Sequence, residues 1–127
     1  MPLETPIEMT TPEDTAGAFV NAIFKQKPLE GKIFNLGGGE NCRISYKKFL
    51  SVLFNIFGLG KISFPEYAFA TRNFHSDHYS DGNILENILH FRKDNKNSYV
   101  DKVKFYVKPF TRFFTFLVSP IIKSILL

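Results

Sequence analysis

Apolar residues recur along this chain at two helical stretches. Ala16, Phe19, Val20, Ile23 and Phe24 fall three and four apart, and so do Phe49, Val52, Leu53, Ile56 and Phe57. Each set marks one face of an amphipathic helix. Between them lies Lys32-Ile33-Phe34-Asn35-Leu36, a short run with the composition of a buried strand, followed by Gly37-Gly38-Gly39. Helix, strand, glycine turn and helix in that order predict a unit of an α/β protein, which neighbouring strands must complete.

The ends of these elements carry their own signals. Thr11-Pro12-Glu13-Asp14 predicts a helix start: Thr11 caps, Pro12 takes the first helical position, and Asp14 stands where a capping-box acid reaches back. Pro28 is expected to stop that helix. The second helix starts near Ser45 and ends at Gly58. Ile7 to Thr10 and Lys61 to Pro65 read as two further short strands. A parallel crossover would lay 61–65 beside 32–36. Residues 66–80 read as a loop. Asp81 opens a short helix with Ile84, Leu85, Ile88, Leu89 and Phe91 inward. After a polar linker, Asn97 or Ser98 caps a long final helix with its seam at Val100, Val103, Val107, Phe110, Phe114 and Leu117. Pro109 is expected to kink it and Pro120 to break it. The fold class expected is α/β: a small parallel sheet of two to three short strands, flanking helices and a long helical C-terminal tail. Residues 1–97 would form one domain and 98–127 the tail.

Composition sharpens this picture. With 44% hydrophobic residues, 15 of the 127 being Phe, the chain can build a core and is unlike a disordered one. The net charge of +4 is local. Beyond Asp101 stand Lys102, Lys104, Lys108, Arg112 and Lys123 and no acidic residue. A uniformly basic nucleic-acid domain is excluded by the near balance upstream. The tail has two readings: packing on another half or subunit, or lying in a membrane interface with its basic stripe near anionic headgroups. Charges and prolines interrupt it as a membrane span. The single Cys42 excludes an intrachain disulfide and suits a reducing interior. The first residues lack the basic-then-apolar order of a signal peptide. The expected location is cytoplasmic, peripheral to a membrane if the tail binds one.

Few residues carry chemistry. Gly37-Gly38-Gly39 offers either a phosphate cradle or a turn that needs positive φ, and the distance to the helix near Ser45 favours the turn. His75, Asp77 and His78 with the distant Cys42 lack the second half of a zinc site. Cys42 has no His partner that would make it a nucleophile.

One resemblance orders these parts. Glu13-Asp14-Thr15-Ala16, Ile33-Phe34-Asn35-Leu36-Gly37, the helix from Ser45 to Gly58, Ile62 to Pro65, and Tyr79-Ser80-Asp81-Gly82 with Leu85 and Leu89-His90-Phe91 follow one another. Over residues 7–95 this run resembles the C-terminal portion of the extended short-chain dehydrogenases/reductases, the NAD-dependent epimerase/dehydratase family. The resemblance implies the substrate-side part of a Rossmann-type reductase. It places Arg72 on the diphosphate of a sugar nucleotide, and Asp77 on its ribose or beside Arg72. The family's Gly-rich cofactor turn and its Tyr-x-x-x-Lys are not among these 127 residues. Tyr46, Tyr67, Tyr79, Tyr99 and Tyr106 are followed four residues on by Leu50, Thr71, Asn83, Val103 and Phe110. The chain alone is therefore expected to be inactive and to bind no cofactor, NAD(P) belonging to the parent enzyme. Its expected partners are a nucleotide-sugar, the missing Rossmann half or a second subunit, and, through open strand edges, another copy of itself. The alternative is a noncatalytic α/β interaction module whose amphipathic tail binds a membrane or a partner.

Overall fold

The computed structural model of the protein describes residues 1–65, 67–72 and 78–126. In chain order they form β1 (Pro6–Glu8), α1 (Pro12–Phe24), α2 (Gln26–Leu29), a short 3-10 turn (Glu40–Cys42), β2 (Arg43–Ser45), α3 (Tyr46–Phe57), α4 (Gly82–Leu89), α5 (Lys96–Tyr106) and α6 (Pro109–Leu126). The protein is mixed α/β and mostly helical. Two compact units interleave along the sequence. The first comprises residues 1–5, 45–75 and 100–127, and the second residues 6–44 and 76–99.

The sheet has two strands, β1 and β2. Pairing runs in opposite senses: Met9 N–H donates to Cys42 O, Tyr46 N–H to Thr5 O, and Lys47 N–H to Leu3 O. The strands are antiparallel, so the expected parallel sheet is not formed among the described residues. Neither 32–36 nor 61–65 is a strand. The reason is visible in 33–36. Phe34 and Leu36 pack on the core while Ile33, 97% exposed, turns outward, which is the side-chain alternation of a strand. No ladder hydrogen bond is formed by these residues, because no strand of the described chain lies alongside to accept it.

In the second unit, Ala18, Leu85, Leu89 and Phe91 are buried together, with Ala22, Leu29, Phe34, Leu36 and Ile88 packed around them. The inward reading of α4 and Phe91 holds, except that Ile84 is exposed. Helix α1 presents the other face. Its inward positions are Asp14 and Ala18, while Phe19, Val20, Ile23 and Phe24 are exposed, Phe24 at 79%. Thr11 Oγ1 caps this helix by accepting from Asp14 N–H, and Pro12 stands at its first turn, as expected. The Asp14 carboxylate does not reach back to the cap. It accepts from Lys93 N–H and Asp94 N–H and so pins the segment after α4. Pro28 does not stop α1, which ends four residues earlier; it lies inside the single turn α2.

In the first unit, Ser45 caps α3, and Gly58 closes it in the left-handed conformation at φ 80°. Glycine is also required there by space: an added Cβ would stand 3.2 Å from Arg112 Cγ and closer still to the Arg112 carbonyl oxygen of α6. Tyr46, Phe54, Phe64 and Phe69 form a chain of edge-on ring contacts at 4.9 to 6.0 Å.

The long final helix is two helices. Helix α5 starts directly after Asn95, whose Oδ1 accepts from Asn97 and Ser98 N–H while Ser98 Oγ accepts from Asn95 N–H; the cap is Asn95, not Asn97 or Ser98. Pro109 breaks rather than kinks the helix, because it cannot donate and suits the first turn of α6. Pro120 lies within α6 without breaking it. The carbonyl it leaves without a donor, that of Phe116, accepts from Ser119 Oγ at 2.9 Å.

Asp14→Ala should lower the unfolding free energy by about 2 kcal/mol, since two part-buried backbone donors lose a charged, buried acceptor. Urea denaturation monitored by circular dichroism checks this; a loss below about 1 kcal/mol would mean that the 93–94 segment is held by something else.

Candidate functional site

The first unit holds a half-open cleft of about 680 Å³. One wall is the polar stripe of α3: Lys47, Ser51 and Asn55, each four residues from the next. The other is the segment 60–65 with Phe69, Ala70 and Thr71. Lys47, Ser51 and Asn55 on one side thus stand across from Lys61 and the two phenyl rings Phe64 and Phe69 on the other. Phe64 and Phe69 meet edge-on at 4.9 Å, which fixes the apolar wall. Lys47 Nζ is 3.2 Å from Glu4 in an exposed pair, so its charge is only weakly committed. The combination suits a ligand with an anionic part and a flat or apolar part.

Arg72 directly follows Thr71 of the cleft wall and is exposed. Asp77 and His75 lie outside the described residues. His78 is exposed. No group of three or more His, Cys, Asp or Glu that could hold a metal ion is found among the described residues. The sequence reading missed Lys47, Ser51, Asn55 and Lys61. The signal for Lys47, Ser51 and Asn55 was their four-residue spacing on the polar side of α3, opposite its apolar face; Lys61 lies beyond that helix.

The glycine turn of the second unit is closed from within. Gly37, Gly38 and Gly39 are buried. Gly39, at φ 77°, donates its N–H to Glu8 Oε1 at 2.8 Å, so the amide faces a carboxylate instead of an anion from solution. The Glu8 side chain is only 3% exposed and also takes Arg43 Nε at 2.9 Å. Arg92 covers the turn: its Nε donates to Gly37 O, its Nη1 to Asn83 Oδ1 and its Nη2 to Gly82 O. A Cβ on Gly38 would stand 2.8 Å from Cys42 Sγ. The turn is a packing device; of its three glycines only Gly39 takes positive φ, and no strand leads directly into it among the described residues.

Burial pushes the Cys42 thiol above its usual pKa, and the carboxylates of Asp14, Asp94 and Glu8 push it the same way, against a smaller opposing effect of Arg92. Such a thiol is a poor nucleophile near neutral pH.

Comparison with protein-family models, with curated proteins and with solved structures finds no match for this chain.

A raised thiol pKa means that the folded protein holds this proton more tightly than the unfolded chain. Stability from this source is complete below pH 9.0, the ordinary thiol value, and is lost as pH rises through the folded pKa. The difference in unfolding free energy between the parent protein and Cys42→Ala should therefore shrink above that pH, with a limiting slope of about 1.4 kcal/mol per pH unit. Parallel stability curves for the two proteins between neutral pH and pH 10.5 (on the order of one unit past the thiol value) would contradict the placement of Cys42.

Proposed function

We propose that this chain is the substrate-side segment of an enzyme resembling the NAD-dependent epimerases and dehydratases, and that the cleft of its first unit receives a sugar nucleotide. The observation that carries the reading is the cleft lining: Lys47 and Lys61 for the diphosphate, Ser51 and Asn55 for hydroxyls, Phe64 and Phe69 for the apolar faces of base or sugar. Arg72 stands next to that wall, where the resemblance puts a diphosphate contact.

Two features of the second unit support the larger frame. The outward apolar face of α1 and the strand-like but unladdered run 33–36 are surfaces that a sheet would cover. On this reading the cofactor NAD(P), and the tyrosine and lysine that move the proton, come from a Rossmann half that docks there. The chain alone then binds substrate and carries out no hydride transfer.

Isothermal titration with uridine diphosphate glucose, uridine diphosphate and glucose tests the reading. The two diphosphates should bind and glucose should not. Lys61→Glu and Arg72→Ala should each weaken diphosphate binding about tenfold, the scale of one lost charge-assisted contact. Equal affinity of both variants and the parent protein sinks the assignment of the cleft. A reading frame upstream of Met1 that encodes a Gly-rich strand-to-helix turn and Tyr-x-x-x-Lys supports the larger frame, and a frame without them removes it.

A further inference from the structure

Helix α6 is amphipathic in the inverted sense. Its half-buried positions include Thr115, Ser119 and Ile122, spaced four and three apart on one face. Nearly all its other described positions are exposed, and among them Phe110, Phe114, Leu117, Ile121 and Ile125 line the opposite face, Ile125 at 77%. Phe113 and Phe116 flank this stripe and are exposed as well. The half-buried side includes the small hydroxylated Thr115 and Ser119, while the stripe from Phe110 to Ile125 is exposed. Hydrophobic burial within the unit therefore does not account for the sequence of this helix.

Charge supplies the second observation. The stretches of the first unit contain nine Lys and Arg against three Asp and Glu, a net of +6, whereas those of the second contain seven against nine, a net of −2. All the positive excess of the protein thus accompanies the aromatic stripe. A cleft of about 660 Å³ beside α6 brings Lys104 and Arg112 next to Phe113 and Phe116. Lys104 pairs with Asp101 at 3.1 Å in an exposed geometry, which leaves its attraction to further anions largely intact. No helix of the described residues is long and apolar enough to cross a membrane.

We propose that α6 lies flat on an anionic lipid bilayer, its Phe and Ile stripe between the headgroups and its basic neighbours over them. Apolar burial and headgroup attraction then act together, as surface-bound amphipathic helices require. The inference is independent of the enzyme reading, which concerns a different cleft.

Sedimentation of the full chain with vesicles tests it. The protein should pellet with phosphatidylcholine vesicles containing phosphatidylglycerol at low salt, and at least tenfold less with phosphatidylcholine alone. The double variant Phe114→Asp, Leu117→Asp changes only exposed side chains and should lower partitioning on the order of a hundredfold, with an unchanged circular dichroism spectrum. Lys104→Glu with Lys108→Glu should lower it more than tenfold while keeping the stripe. Absence of pelleting with anionic vesicles at low salt overturns the proposal, as does equal pelleting of the stripe variant. Light scattering that finds a dimer dissociated by the stripe substitutions, with no vesicle binding, assigns the stripe to a second copy instead.

Discussion

Carboxylates that accept from backbone amides are the constraint on which the second unit depends. A chain with two three-residue strands leaves long irregular segments whose N–H groups must still find acceptors. Three side chains supply them. Glu8 takes Gly39, Asp14 takes Lys93 and Asp94, and Glu86 takes Phe91 and Arg92. Each spans many residues of sequence or turns the chain sharply after a helix. Together they hold the glycine turn and the segment 91–94 in place of a sheet ladder. Arg92 completes the arrangement by donating to the carbonyls of Gly37 and Gly82.

The first unit is organised differently. Its cohesion comes from aromatic rings and from α3 resting on α6, with Gly58 allowing the backbones to come close. Its polar groups are left available. Lys47, Ser51, Asn55 and Lys61 line an open cleft, whereas the second unit spends its charged groups on its own backbone. This division explains why the cleft, and not the glycine turn, is the site with room for a ligand.

Local signals in the sequence were legible where a single residue decides the outcome. Thr11 and Ser45 cap, Gly58 terminates, and Leu85, Leu89 and Phe91 go inside. The reading failed where the outcome depends on what lies alongside. Phe19, Val20, Ile23 and Phe24 have the spacing of a core face, yet it is Ala18 and Asp14 that are buried, Asp14 as acceptor for the backbone at 93–94. Lys32 to Leu36 has the composition of a strand, but a strand requires a neighbour that the described chain does not place there. Pro120 signalled a break, and Ser119 removed the cause of one. Arg72 was singled out from the resemblance alone, whereas the polar stripe of α3 that lines the cleft was not singled out at all.

The segment 33–36 has a consequence for assembly. Its side chains are already sorted to two faces, while its amides and carbonyls form no ladder with any described residue. Most of the entropy of straightening it has therefore been spent before any partner arrives. An incoming strand that matched register with Phe34 and Leu36 would add main-chain hydrogen bonds at little further cost in ordering this segment. The same readiness makes this short run a nucleus at which unfolded neighbours could stack, so its safety in a crowded cell rests on how soon something complementary occupies it.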